Sequence, residues 1–134
     1  MVNLVPNQNK YMVKIMYDEL LKRLDNPTIG FPNSNDGKLH AEKICVNEFI
    51  FIYVTSPIQR VIGMAKVVDS YFIANNRWPY QVPVDWVISP KNPGVMLKDV
   101  EINYRPQRGD SEFWISSNSA KKLIDMLQKQ YDYY

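Results

Sequence analysis

Cysteine and histidine are almost missing from this 134-residue chain, which holds one of each, Cys45 and His40. A lone thiol excludes an internal disulfide framework. One Cys with one His also leaves too few nitrogen and sulfur ligands for an ordinary structural zinc site. Glycine is scarce, with five in all, and none falls in the spacing of a phosphate-binding loop. No stretch approaches the roughly 18–20 apolar residues of a membrane span, and the densest run, Phe49 to Val54, is much shorter. The N-terminal Met1-Val-Asn-Leu-Val-Pro6 has no basic region leading into a long apolar one, so no secretory signal is visible. An excess of one charge is also lacking, since 16 Lys+Arg face 14 Asp+Glu for a formal net charge of +2. A pI near 8.6 permits polyanionic partners without demanding them. A cytoplasmic, reducing setting with no membrane partner is the expectation.

Aromatic residues are plentiful, with nine Tyr, five Phe and three Trp. The length suits one domain, residues 1–134, with a real hydrophobic core. Val2 to Val5 reads as a first strand. A helix is expected from about Lys10 to Leu24, where Met12, Met16, Leu20 and Leu24 recur every four residues. Thr28 to Lys38 gathers Gly, Pro, Asn, Ser and Asp, and reads as a loop. Phe49 to Val54 reads as a strand buried on both faces, and Val61 to Val68 as a second one. Gly63 there signals a bulge or a close backbone approach. In a third strand, Tyr80 to Ile88, the even positions from Trp78 through Trp86 to Ile88 share one face. Pro79 and Pro83 mark that strand as an edge or a bulged one.

A short turn of helix or strand is expected around Val95 to Ile102, and a brief strand at Phe113 to Ile115. The last helix is capped from Ser116 to Ser119 and buries Ala120, Leu123, Ile124 and Leu127. Gln130 to Tyr134 reads as a frayed or linking tail. The fold class is therefore α+β, a small, mostly antiparallel β-barrel flanked by helices.

No catalytic set emerges. His40 and Cys45 straddle an irregular stretch and read as a surface histidine and a buried structural thiol. The carboxylate pairs Asp18/Glu19, Asp99/Glu101 and Asp110/Glu112 read as solvated faces and turns. Asp36-Gly-Lys38, the one acid-x-Lys element, sits in a loop and not on a strand. The chain is expected to be no enzyme, with no cofactor and no metal.

Aromatic rings suit the stacking of nucleic-acid bases, worth about 1–3 kcal/mol per base. Phe31, in the loop, and the segment Arg77-Trp78-Pro79-Tyr80 are the candidates, with Trp86 assigned to the core. Arg60, Lys66, Arg77 and Arg105 are candidates for phosphate contacts.

The series Asn3 to Gln8, Ile29-Gly-Phe-Pro32, Val46 to Tyr53, Thr55-Ser56, Arg60 to Val68, Arg77 to Val82 and a helix entered from Phe113 resembles the EVE domains of the PUA-like superfamily, relatives of the YTH readers. Ile62-Gly-Met-Ala65 and Trp78-Pro-Tyr80 are its most specific parts. EVE domains often have Trp-Gly after the first helix where this chain has Ile29-Gly30, so that either Phe31 takes over the stacking or the pocket is altered. The resemblance implies a PUA-like/EVE barrel that holds a modified or flipped base in an aromatic pocket. Phe31, Tyr53, Trp78 and Tyr80 would line it, and Asn33 and Ser56 would read polar edges. It also implies a place as the N-terminal specificity domain of a McrB-type modification-dependent restriction protein, with DNA as the favoured ligand and a GTPase and a nuclease subunit as partners. Two alternatives stand beside it: an RNA-binding PUA-like domain in RNA metabolism, and a protein-interaction domain whose aromatics are all core.

Overall fold

A computed structural model describes residues 10–17, 27–107 and 109–132. Its elements are β1 (Lys10–Met16), β2 (Thr28–Phe31), α1 (Asn35–Lys43), β3 (Phe49–Val54), β4 (Arg60–Val67), β5 (Phe72–Ile73), β6 (Tyr80–Ile88), β7 (Lys91–Asn92), a 3-10 helix (Leu97–Val100), β8 (Glu112–Ser116), α2 (Ser117–Gln128) and β9 (Tyr131–Asp132). A seven-stranded sheet runs β2-β6-β4-β3-β1-β8, with β5 also on β6. Among the described strands only the β1–β3 pairing is parallel. The sheet curls into a half-barrel, the mostly antiparallel α+β architecture expected from the sequence.

The strands form because their apolar residues fill both faces of this curl. Alternation sends Tyr11, Val13, Ile15, Phe51, Val61 and Met64 outward, under α2 and the 3-10 helix. The inward residues Met12, Ile29, Phe31, Ile50, Ile52, Ile62, Val82 and Val84 form a second cluster. The stripe Ala120, Leu123, Ile124 and Leu127 of α2 is buried as its spacing predicts. Ser116 caps that helix by accepting the Ser119 amide N–H at 3.3 Å.

Several expectations need correction. The helix from Lys10 is a strand as far as Met16. β1 lies between β3 and β8 with both faces covered, so its two parities are both apolar, and the four-residue spacing there is incidental. The rest of that segment and the strand Val2 to Val5 lie outside the described residues. The Thr28–Lys38 loop is instead β2 followed by the start of α1. Its Ser34 Oγ accepts the Gly37 amide N–H at 3.0 Å, so a residue type shared by loops and caps serves here as the cap. The tail is paired as far as Asp132, whose carboxylate meets Lys91 Nζ at 2.6 Å.

β6 is an interior strand and not an edge. It does bulge, however. Met64 faces Ile88 while Ala65 faces Trp86, which leaves Val87 as the extra residue. That bulge breaks the shared parity, placing Ile88 in the outer cluster and Trp86 against the inner one. β4 has its own bulge beside Gly63, where the register slips between Ile52 and Tyr53. No helix among the described residues is long and apolar enough to cross a membrane.

Candidate functional site

The inner cluster does not fill the whole curl. A cavity of about 530 Å³ opens on this face, within the size range of small-ligand sites. Its apolar walls include Met16 and Tyr17 at the end of β1, Ile52 and Val54 of β3, Ile62 of β4, Phe72 of β5, and Trp78 and Trp86 at either end of β6. Lys14, Thr28, Asn76, Arg77 and Gln81 supply its polar groups.

Each cavity tryptophan rests on a glycine. A Cβ added at Gly30 would stand 2.7 Å from Trp78 Cβ, and one at Gly63 would stand 3.1 Å from the Trp86 ring. The first is closer than real side chains approach, and at Gly63 the added atom would also stand 2.7 Å from the Ile88 carbonyl oxygen, so these glycines let the Trp78 backbone and the Trp86 ring lie close on β2 and β4. The chain around Trp78 is also held by hydrogen bonds. Its N–H donates to Asn76 Oδ1 at 2.9 Å, and its carbonyl accepts from Gln81 Nε2. Gln81 Oε1 in turn accepts the Thr28 hydroxyl at 2.6 Å. This chain of bonds ties β2, β6 and the β5–β6 turn together. Tyr17 packs on Trp78 at a tilt, with centroids 6.2 Å apart.

Lys14 is the unusual member. Only 2% of its side chain is exposed, yet it borders the cavity. Nζ donates to the Ser111 carbonyl at 3.0 Å and to Ser111 Oγ at 2.5 Å. It lies 4.7 Å from the Phe31 ring centroid and 5.6 Å from that of Trp78. Glu112, directly opposite on β8, brings Oε2 to 3.8 Å, an ion pair too long for a hydrogen bond. The other carboxylate oxygen of Glu112 is held by His40 Nδ1 of α1 at 2.5 Å. Burial lowers the Lys14 amine to about 8, and the charge of Glu112 opposes that shift.

The expected site residues fall into three groups. Trp78 and Arg77 line the cavity. Tyr80 is half-buried outside the lining, edge-on to Tyr71 with centroids 5.9 Å apart. Asn33, Ser56 and Arg105 are exposed outside the helices and strands, and Arg60 and Lys66 are partly exposed on β4 away from the lining. Phe31 and Tyr53 need correction. Phe31 is wholly buried beneath Lys14 and has no open face for stacking. Tyr53 lies in the outer cluster, on the opposite face of the sheet from the cavity.

Sequence reasoning missed Lys14, Met16 and Tyr17, because the expected helix placed Lys14 on a solvated face. Trp86, expected in the core, does pack against the inner cluster but is only partly buried and also lines the cavity. Glu112 was read as solvated and is nearly enclosed. Cys45, expected to be buried, is exposed. The signal for Lys14 was available: Tyr11, Val13 and Ile15 alternate with Met12, Lys14 and Met16, a strand pattern with one charge set among apolar neighbours.

Neither family models nor curated proteins give a match to this chain. Solved structures do. The YTH domain of a Zygosaccharomyces rouxii protein, determined in complex with N6-methyladenosine RNA, aligns with 99% of this chain and 95% of its own, at a TM-score of 0.64 and 10% identity. A hypothetical protein from Leishmania major aligns with 93% of this chain and 98% of its own, at a TM-score of 0.64 and 14% identity. The ASCH protein of Zymomonas mobilis aligns with 91% of this chain and 96% of its own, at a TM-score of 0.56 and 16% identity. At such identities the likeness is one of fold. YTH and ASCH domains are PUA-like, and this chain has a PUA-like fold.

Proposed function

We propose that this chain is a nucleic-acid-binding module that takes one base, flipped or unpaired, into the cavity beside Trp78 and Trp86. One observation carries this reading: a concave site of about 530 Å³ on the inner face, walled by two tryptophans that are each seated on a glycine. Such rings offer faces for stacking, while hydrogen bonds to the edge of the base set identity. Arg77 lines the same cavity and supplies a phosphate contact for the strand that delivers the base. The formal charge of only +2 makes unaided electrostatic binding weak, so affinity depends on the pocket. The module binds its base without altering it.

Residues 1–134 act in this reading as one EVE-type unit. The sequence resemblance supports DNA recognition for a McrB-type restriction system that works with a GTPase and a nuclease. The solved YTH neighbour, bound to N6-methyladenosine RNA, favours a second reading, an RNA-binding module.

Fluorescence anisotropy with methylated and plain DNA and RNA, at two salt concentrations, tests the proposal. Wild-type protein binds at least one of these at low salt. Trp78→Ala weakens that binding about tenfold while still melting cooperatively. No binding to any of the four at low salt would sink both nucleic-acid readings. A preference for DNA or for RNA decides between them.

A further inference from the structure

Among the described residues, the ammonium of Lys14 is under-bonded in a place where this matters. It has three N–H donors and no acceptor. Two of them go to the carbonyl and hydroxyl of Ser111. For the third, the described residues offer only Glu112 Oε2, which at 3.8 Å is beyond hydrogen-bond reach. That oxygen is itself buried with no hydrogen-bond partner, since the carboxylate is turned toward His40. Buried polar groups left in this state are uncommon and costly. Around Nζ stand aromatic faces, Phe31 on one side and the cavity ring Trp78 on another. The remaining polar groups of the lining are largely occupied, because Gln81 and Thr28 bond each other and Gln81 also bonds the Trp78 carbonyl.

Building on the base-pocket reading above, we infer that Lys14 is a specificity residue: it donates its free N–H to a carbonyl oxygen of the bound base, so the cavity selects keto-bearing bases over adenine. Thymine, uracil and guanine present such oxygens to a donor at O4 or O6, and cytosine presents one at O2. Adenine has no such oxygen: its acceptors are ring nitrogens, and at the edge position where thymine O4 or guanine O6 would accept from Lys14 it presents its exocyclic amine, donor to donor. Methylation at N6 does not supply the missing oxygen, so N6-methyladenine shares the disadvantage. The buried setting strengthens the contact, because a charge-assisted hydrogen bond shielded from water is stronger than one in solvent. It also raises the penalty for a base that leaves the ammonium unmet.

The test uses single-stranded pentanucleotides with one central base flanked by abasic positions, titrated while tryptophan fluorescence is read. With wild-type protein, oligonucleotides carrying thymine or guanine bind about tenfold or more tighter than those carrying adenine or N6-methyladenine. The double variant Lys14→Met/Glu112→Gln removes both charges together, so that no unpaired ion is left buried. It binds all four with affinities within about twofold of one another. Equal or tighter binding of adenine by the wild type overturns the inference whatever the variant does. So does a double variant that keeps the wild-type preference, and in both cases Trp78-dependent binding leaves the base pocket itself standing. Absence of binding by any pentanucleotide at low salt overturns the pocket reading and this inference together. If the double variant fails to fold, the wild-type series decides alone.

Discussion

The two faces of the curled sheet draw on alternate residues of the same strands and end in opposite conditions. On the outer face, Tyr11, Val13, Phe51 and Met64 meet the apolar stripe of α2, and the space between them is filled. Each leucine buried there contributes roughly 2 kcal/mol. On the inner face, equally apolar strand residues leave a cavity of about 530 Å³ bordered by a buried lysine and two tryptophans. The outer face is arranged for stability. The inner face gives up packing and places a charge in a poorly solvated site, the kind of local cost that marks functional regions.

This contrast breaks if substitutions on the two faces have the same consequence. The largest effect belongs to Leu123→Ala. Truncating this fully buried side chain lowers unfolding free energy by about 2–5 kcal/mol in urea titrations, while the folded fraction binds nucleic acid like the wild type. Trp78→Ala does the reverse, costing binding about 1–3 kcal/mol with little change in the denaturation midpoint. Gly30→Ala comes next. A methyl group there collides with Trp78 Cβ and Gln81 Nε2, so the ring moves off β2 and binding falls by about 1 kcal/mol, part of the stacking contribution.

The smallest effect is a pH slope. The Lys14 amine is held at about 8 in the folded protein, below its unfolded value, so the unfolded chain keeps this proton longer. The resulting destabilisation is present in full below about pH 8 and is relieved as pH rises toward the unfolded lysine value of about 10.4. Stability of the wild type therefore rises between about pH 8 and pH 10 relative to Lys14→Met/Glu112→Gln. The groups facing Lys14 are Ser111 just before β8 and Glu112 at its start, the rings of Phe31 and Trp78, and, through Glu112, His40 of α1. Tyr11 and Tyr53, pushed upward by burial, act in the opposite sense and only above about pH 10. A flat difference between the two proteins over this window would show that Lys14 is not desolvated.

The outer face was the more legible in sequence. The stripe Ala120, Leu123, Ile124 and Leu127 has only one helical reading, and Ser116 announces its start. Strands β3, β4 and β6 were visible in their β-branched and aromatic density. The inner face was obscured where both parities of a strand are apolar. In β3 that pattern places no residue on a given face, so Tyr53 could not be separated from Ile52 and Val54. In β1 it allowed a spurious four-residue period, which hid Lys14. Trp78 and Arg77 were found because they adjoin a turn. Phe31 was misplaced because the glycine and prolines around it read as surface, whereas Gly30 serves close packing beneath Trp78. Glu112 follows a polar, turn-rich segment, and nothing local reveals that it closes on Lys14 across β1 and β8.

The three tryptophans allow a direct test of where a base goes, because Trp78 and Trp86 line the cavity while Trp114 is exposed on β8 outside it. The measurement is a titration of the three indole N–H signals in a nitrogen–proton correlation spectrum, with a pentanucleotide carrying thymine as ligand. Shifts at Trp78 and Trp86 that saturate together, with Trp114 unmoved, are the result expected of a base-holding cavity. Binding that moves Trp114 and leaves both cavity tryptophans in place would contradict it.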